Sequence, residues 1–469
     1  MKISALFGLA VVLCSGCASF TPEPISPAVA ITRFELRTLD NPDLRAFIQS
    51  NIKNEIESWP LPQWDVDLLT LAAFYYHPDL DVARAKWNVA QAGIDTASMR
   101  PNPSLSIGAQ RNADAPSGTS PWTFGWNLDI PIETAGKRGY RTAQARYLSE
   151  SARLAIAGSA WQVRSRVRSA LVDVFFARQV QEVLSQQQSL LQNNLTLREH
   201  RVALGMASQA ELTQARIALN QATLASVDAQ KRQAEARVKL ASALGLSIKG
   251  IDNLAFAPKL FADMPALPTD DIRQQALLNR ADVLGALADY AASQSALQLE
   301  ISKQYPNVSL GSGYSWDAGA SKWSLGLMLV LPIAHQNQGP IAEARAHRLQ
   351  ARANFNARQA QAIGEIDTAL ASYRAVQNKL AASNALLADQ DTQMRSAMAS
   401  FKAGQTDKVS LLGAQLEISQ LVVARLDART KAQQALGLLE DALQRPLNAP
   451  VLSTPALQEN IRQTKENKL

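Results

Sequence analysis

Few residues in this 469-residue chain carry reactive chemistry. There are two cysteines, Cys14 and Cys17, and four dispersed histidines, His77, His200, His335 and His347. Metal centres built from Cys and His need ligands at short, recurrent spacing. None is present, so neither a metal ligand set nor a cofactor is expected, and His335 reads as a turn residue. Catalytic signatures are missing as well: there is no Gly-x-Ser-x-Gly, no His-Glu-x-x-His and no Walker Gly-Lys-[Ser/Thr]. Gly136-Lys137-Arg138 lacks the glycine spacing and the hydroxyl that would hold Mg²⁺. An enzyme is not expected. With 47 Lys+Arg against 41 Asp+Glu the net charge is +6, and the densest basic cluster is Arg164, Arg166 and Arg168. That is too little for a nucleic-acid stripe. An apolar content of 47% also excludes wholesale disorder.

The thiols sit where lipid chemistry is done. Lys2 gives a positive start, Ile3 to Leu13 is an apolar run too short to span a bilayer, and Leu13-Cys14-Ser15-Gly16-Cys17 follows. Small residues before a cysteine resemble a bacterial lipobox, although Cys14 stands where an aliphatic residue is usual. Residues 1–16 then form a signal peptide, and Cys17 carries diacylglycerol and an N-linked acyl chain such as palmitate. A plain signal peptide cut elsewhere is the alternative. More than one acyl chain makes a stable anchor. Ala18 in place of Asp favours the outer membrane by the same resemblance. Thr21-Pro22-Glu23-Pro24-Ile25-Ser26-Pro27 reads as an extended tether.

One pattern is written twice, at a period of roughly 200 residues, far longer than a solenoid repeat. Arg100-Pro101-Asn102-Pro103-Ser104-Leu105 matches Tyr305-Pro306-Asn307-Val308-Ser309-Leu310. Leu128-Asp129-Ile130-Pro131-Ile132 matches Leu329-Val330-Leu331-Pro332-Ile333. Val202-Ala203-Leu204-Gly205 matches Phe401-Lys402-Ala403-Gly404, and Ala243-Leu244-Gly245 matches Ala442-Leu443-Gln444. The chain is a tandem duplication with the following expected parts: tether and equatorial segment 17–65, repeat 1 over 66–245, linker 246–269, repeat 2 over 270–445, and tail 446–469. Each repeat opens with a helix (66–99, 270–303), passes through two strands (103–111 and 121–131; 307–316 and 322–331), and enters a very long helix (138–203, 340–402). At ~1.5 Å per residue each long helix approaches about 100 Å. Shorter helices return over 209–245 and 408–444, and the composition suits coiled-coil packing.

The strands alternate. Trp122, Phe124, Trp126, Leu128 and Ile130 interleave with Thr123, Gly125, Asn127 and Asp129; Trp323, Leu325, Leu327, Leu329 and Leu331 interleave with Ser324, Gly326, Met328 and Val330. Period two gives one apolar and one small polar face. Strands of about 9–11 residues cross a bilayer when tilted. Trp122, Trp316 and Trp323 lie near the loop ends, where an aromatic girdle belongs. A soluble sandwich with one buried face is the competing reading. Four strands cannot close a barrel, and lipid tolerates no open sheet edge, so several copies must share one.

Lipobox, duplicated halves, strand pairs ending in Leu-x-x-Pro-Ile or a variant, and giant helices together resemble the TolC-like outer-membrane efflux factors over roughly residues 66–445. The resemblance implies an α+β membrane protein. Its form is a homotrimer whose 12-stranded β-barrel, four strands per chain, continues into a periplasmic α-helical tunnel. It implies docking to a periplasmic adaptor and an inner-membrane pump, proton-driven in the metal-exporting branch, as one tripartite exporter. Residues 128–139 and 331–341 look like the heavy-metal cation branch, which names a cargo and not a metal site in this chain. The same duct exporting drugs or other small organic molecules is the alternative, and a structural outer-membrane lipoprotein is a third reading.

Named positions follow. Pro131 and Pro332 are expected to end the strands and open the helices at the barrel-to-tunnel junction. Lys137, Arg138 and Arg141 follow where membrane phosphates could be met, or form an ordinary solvated turn. Gly205 with Ser208, and Gly404 with Asp407, would cap the periplasmic reversals and look like the family's adaptor-contacting turns. Glu211, Asp407 and Asp129 are the carboxylates that, in several copies around an axis, could narrow an aperture or attract cations. Solvated helix-start carboxylates remain the plain alternative for Glu211 and Asp407. In cells fed labelled palmitate, Cys17→Ala is expected to abolish incorporation into this chain; label retained by the variant would reject the lipobox.

Overall fold

A computed structural model describes residues 18–52, 55–257, 261, 264–266 and 270–447. Cys17 and the tail beyond Leu447 lie outside the described residues. Two short helices come first, α1 (Pro27–Glu35) and α2 (Pro42–Asn51). Then come α3 (Val66–Tyr76) and α4 (Pro78–Ser98). The single helix expected over 66–99 is thus two. Pro78 cannot donate to the preceding turn and opens α4 instead, while His77 Nδ1 accepts from Asp79 N at 3.2 Å as its cap.

The hairpin β1 (Ser104–Arg111) and β2 (Trp122–Ile132) leads into α5 (Lys137–Ala203), 67 residues long. After the reversal, α6 (Gln209–Leu244) returns. The second half repeats this order with α7 (Asp270–Asn279), α8 (Ala281–Ser302), β3 (Val308–Asp317), β4 (Ala320–Leu329), the 65-residue α9 (Gln338–Lys402) and α10 (Lys408–Leu443). The expected helix over 270–303 is also broken, at Arg280. Its guanidinium turns back to Asp282 (2.8 Å), Glu365 (2.7 Å) and the Ala442 carbonyl (2.8 Å). That cation sits on the C-terminal end of α10, where the helix dipole favours it.

The four strands form one antiparallel sheet in the order β1-β2-β3-β4. α5 lies between α4 and α8 on the strand side of the waist and between α6 and α10 below it, while α9 packs on α8 and then on α10. The core concentrates at the waist. Val163, Val167 and Leu171 of α5 meet Leu240 and Leu244 of α6, Leu44 and Ile48 of α2, and Leu69 of α3. In the second half Ile366 and Tyr373 of α9 meet Leu436 and Leu439 of α10. Burying each such side chain contributes about 1.5–3 kcal/mol.

A buried ionic cluster joins the halves there. Glu440 of α10 receives Arg164 at 2.9 Å and Arg168 at 3.4 Å, with the three side chains at most 11% exposed. Arg168 also donates to the Gln433 carbonyl at 2.6 Å, and Ser165 bonds Asp441, whose carboxyl burial pushes up. Glu440→Ala leaves two buried guanidiniums without their shared counter-charge, which is expected to cost about 3–5 kcal/mol. Asp367→Ala, which removes the exposed partner of Arg273, should cost under about 1 kcal/mol. Denaturant midpoints in detergent check the difference.

Candidate functional site

The sheet has two chemically opposite faces. In register, Phe124 pairs with Ala109 and Trp316, Trp126 with Ile107 and Tyr314, and Leu310 with Leu327. These side chains share the apolar face, which one chain leaves open to solvent: Ile107, Trp323 and Leu325 are each more than three-quarters exposed. Its loop end is aromatic. Tyr314 and Trp323 lie 4.9 Å apart, Trp126 and Trp323 6.4 Å, Phe124 and Trp316 6.3 Å. A sheet face of this kind suits lipid and an interfacial girdle.

The other face is small and polar. Asp129 lies level with Ser104 and Gly311, Asn127 with Ser106 and Gly313, and Gly313 with Ser324. The charged Asp317 on this face pairs with Lys322 at 2.7 Å and accepts from Thr123 at 2.8 Å. Asp129 has no ion-pair partner among the described residues. β1 and β4 each have a partner on one side only.

The strand-to-helix junction differs from expectation. Pro131 does not end β2; it is paired with Ser309, and Ile132 with Val308. It lies past the end of the β1 pairing, at Ser104–Asp129, so β2 is edge-like there and a missing N–H is tolerated. Pro332 stands beyond β4, and the helices start later, at Lys137 and Gln338, each after an N-cap with positive φ, Gly136 (72°) and Asn337 (60°). Between them is a latch that sequence inspection missed. Thr134 Oγ1 donates to the Pro306 carbonyl at 2.6 Å, and buried Lys137 Nζ to the Tyr305 carbonyl at 2.6 Å and to Asn307 Oδ1 at 2.5 Å. Arg141 pairs with Glu133 at 2.7 Å and donates to the carbonyls of Ala97 and Met99. Lys137 and Arg141 therefore bind protein carbonyls at helix ends, and of the three cations Arg138 alone is exposed. The signal was a lysine and an arginine one turn apart opening a helix, where a cation is unfavourable unless another helix end accepts it.

The far reversals are near-identical. The N–H groups of Gly205 and Met206 donate to Val202 and Arg201, and those of Gly404 and Gln405 to Phe401 and Ser400. This is the double closure of a helix end through a left-handed residue, with φ of 71° at Gly205 and 72° at Gly404. Ser208 Oγ then accepts from Glu211 N at 3.2 Å and Asp407 Oδ1 from Ser410 N at 2.9 Å, starting the return helices. The two tips are tied together by Arg201 of α5, which reaches Asp407 at 2.8 Å, while Arg198 reaches Glu211 at 3.6 Å within the first tip. Hydrogen bonds from Ser410, with Arg201 beside it, hold the Asp407 carboxyl below the usual range. Among the described residues no three His, Cys, Asp or Glu gather as a metal site.

An open-edged, two-faced sheet continuing into a long helical strip has a precedent. The family described as outer membrane efflux protein matches residues 73–246 and 272–444. The chain belongs to this family. The resemblance read from the sequence is to the same channels, and the family is one of efflux proteins rather than enzymes. The cobalt-zinc-cadmium resistance protein CzcC of Cupriavidus metallidurans is 25% identical over 376 residues, covering 78% of this chain and 87% of that one. Among solved structures, the Campylobacter jejuni CmeC outer membrane channel aligns with a TM-score of 0.68 at 17% identity, covering 96% of this chain and 99% of that one. CusC, described for its transmembrane channel formation, aligns at 0.66 and 19% identity, covering 91% and 99%. These structures share the α+β fold of this efflux protein.

An added Cβ at Gly404 meets nothing within 4 Å, so Gly404→Val acts through backbone strain alone, about 1–2 kcal/mol. Hydrogen exchange should quicken at residues 400–410 while the waist helices keep their protection. An unchanged tip would contradict the left-handed cap as a structural requirement.

Proposed function

We propose that three copies of this efflux protein form a passive exit duct through the outer membrane, the last segment of a tripartite exporter. One observation carries the reading: a four-stranded sheet, apolar on its outer face and unpaired at both edges, runs directly into two helices of 65 residues or more. Three such sheets make a 12-stranded barrel without edges, which lipid requires. The helices below continue its wall into the periplasm. In this reading the drive comes from a proton-driven inner-membrane pump, joined through a periplasmic adaptor.

Further details belong to the same proposal. Cys17 carries the lipid anchor at the outer membrane. The tips at Gly205–Ser208 and Gly404–Asp407 receive the adaptor. Glu211 and Asp407, each paired with an arginine of α5, are poor bare anionic rings while those pairs hold. Asp129, three copies of it on the inward barrel face, is the better candidate for attracting cations. Similarity to a cobalt-zinc-cadmium resistance protein favours metal cations as cargo.

Deletion of the gene should sensitise the native host to cobalt, zinc or cadmium, with growth restored by the wild-type chain. The purified protein should also give stable single-channel conductance in planar bilayers. Sensitivity to organic toxicants alone would replace the cargo and leave the duct. Absence of conductance would overturn the duct.

A further inference from the structure

Duplication provides a template for a contact that one chain cannot make alone. Above the waist, α5 buries one side on α4 and the other on α8, whereas its counterpart α9 packs on α8 and leaves its opposite face exposed. Aligning the first residue of α4, Pro78, with the first of α8, Ala281, superposes Val82, Ala85, Val89 and Ala92 on Gly285, Ala288, Ala292 and Ser295. The four α8 residues are buried, and an ideal Cβ on Gly285 lies 3.9 Å from Ser151 Oγ of α5. The four α4 residues are exposed, Val82 by 53% and Val89 by 74%.

This stripe is a second seam on α4. The helix already buries Leu80, Ala83 and Ala97, and the exposed residues repeat the alternating three-and-four spacing of knobs-into-holes packing. Ser151 of α5, which meets α8, lies on a helix face that has its own echo. Counting back from the tip glycines Gly205 and Gly404 places Tyr147, Ser151, Leu154 and Gly158 on Ala346, Gln350, Ala353 and Ala357 of α9. All four α9 residues are exposed, while Ile341 and Ala344 pack on Leu297 of α8 from another side.

We infer that α4 of one subunit docks antiparallel on α9 of the next, with Val82 level with Gln350, Ala85 with Ala346, and Val89 and Ala92 continuing towards the start of α9. The occupant is a second copy of this chain, because α4 leads into β1 and α9 follows β4, the two open edges of the sheet. The inference rests on the trimeric-duct reading and adds its helical register. Side-chain size then alternates around the tunnel. Seams within a chain present Gly, Ala, Ala and Ser, which permit close approach, and seams between chains present Val, Ala, Val and Ala, which hold the axes further apart. The alternation gives the ring three-fold rather than six-fold spacing.

Disulfide trapping tests it, since a bridge needs Cβ atoms about 3.5–4.5 Å apart. Val82→Cys is combined in turn with Ala346→Cys, Gln350→Cys and Ala353→Cys, and mildly oxidised in membranes. Boiled, non-reduced samples should show covalent dimers and trimers, strongest with Gln350→Cys. Gly285→Cys with Ser151→Cys should close within one chain and leave its apparent mass unchanged. A second variant, Val89→Asp, places a charge in the seam but on a surface exposed in the single chain; it should reduce heat-dissociable trimer several-fold with helicity retained. Intact trimers that give no cross-link at any of the three positions, or that tolerate Val89→Asp, would overturn the seam and leave the duct standing. A wild-type protein with no heat-dissociable trimer would overturn both.

Discussion

Backbone hydrogen bonding in lipid is the constraint on which this structure depends. Every strand N–H and C=O within the hydrocarbon needs a partner, and a missing one costs several kcal/mol. One chain supplies four strands and leaves β1 and β4 each half-paired. Its sheet also has nothing of its own to bury Ile107, Trp323 or Leu325. A soluble sandwich would cover that face with a second layer, and among the described residues none is present. The outward face and the open edges demand the same remedy, lipid around the wall and further copies to close it.

The helical part obeys a milder rule. Helices satisfy their own backbone, so the tunnel half of the molecule is governed by seams of side chains. The duplication sets these seams: α5 and α9 occupy equivalent places, and so do the tips at Gly205 and Gly404. The halves have nevertheless diverged where they are joined. Gly245 with φ of 73° is matched by Gln444 with φ of 48°, and the helix end near Gly245 is capped by Arg37, whereas that of α10 is capped by Arg280. The buried Arg164–Arg168–Glu440 cluster has its arginines in one half and its glutamate in the other. It pins the repeats together at the waist, below the strands and above the tips.

Much of this was legible in the residues. Strand alternation, the paired glycines and the long runs without proline have local causes, and local patterns report them. The caps at Ser208 and Asp407 were readable for the same reason, because a cap is an interaction across three residues. What escaped was set by distant partners. Pro131 sits within β2 because β1 has already ended, which no local rule encodes. Lys137 and Arg141 look like membrane-facing cations in one dimension, yet in the fold they meet carbonyls of the other repeat's loop and of α4. Arg201 and Asp407 are separated by a full repeat and joined at the tip.

The central claim is that one subunit's wall is incomplete by construction. The native mass of the intact complex, released from outer membranes in mild detergent, tests it most directly. Three chains per complex is the expected mass. A monodisperse single chain, with its sheet still folded, would contradict the account.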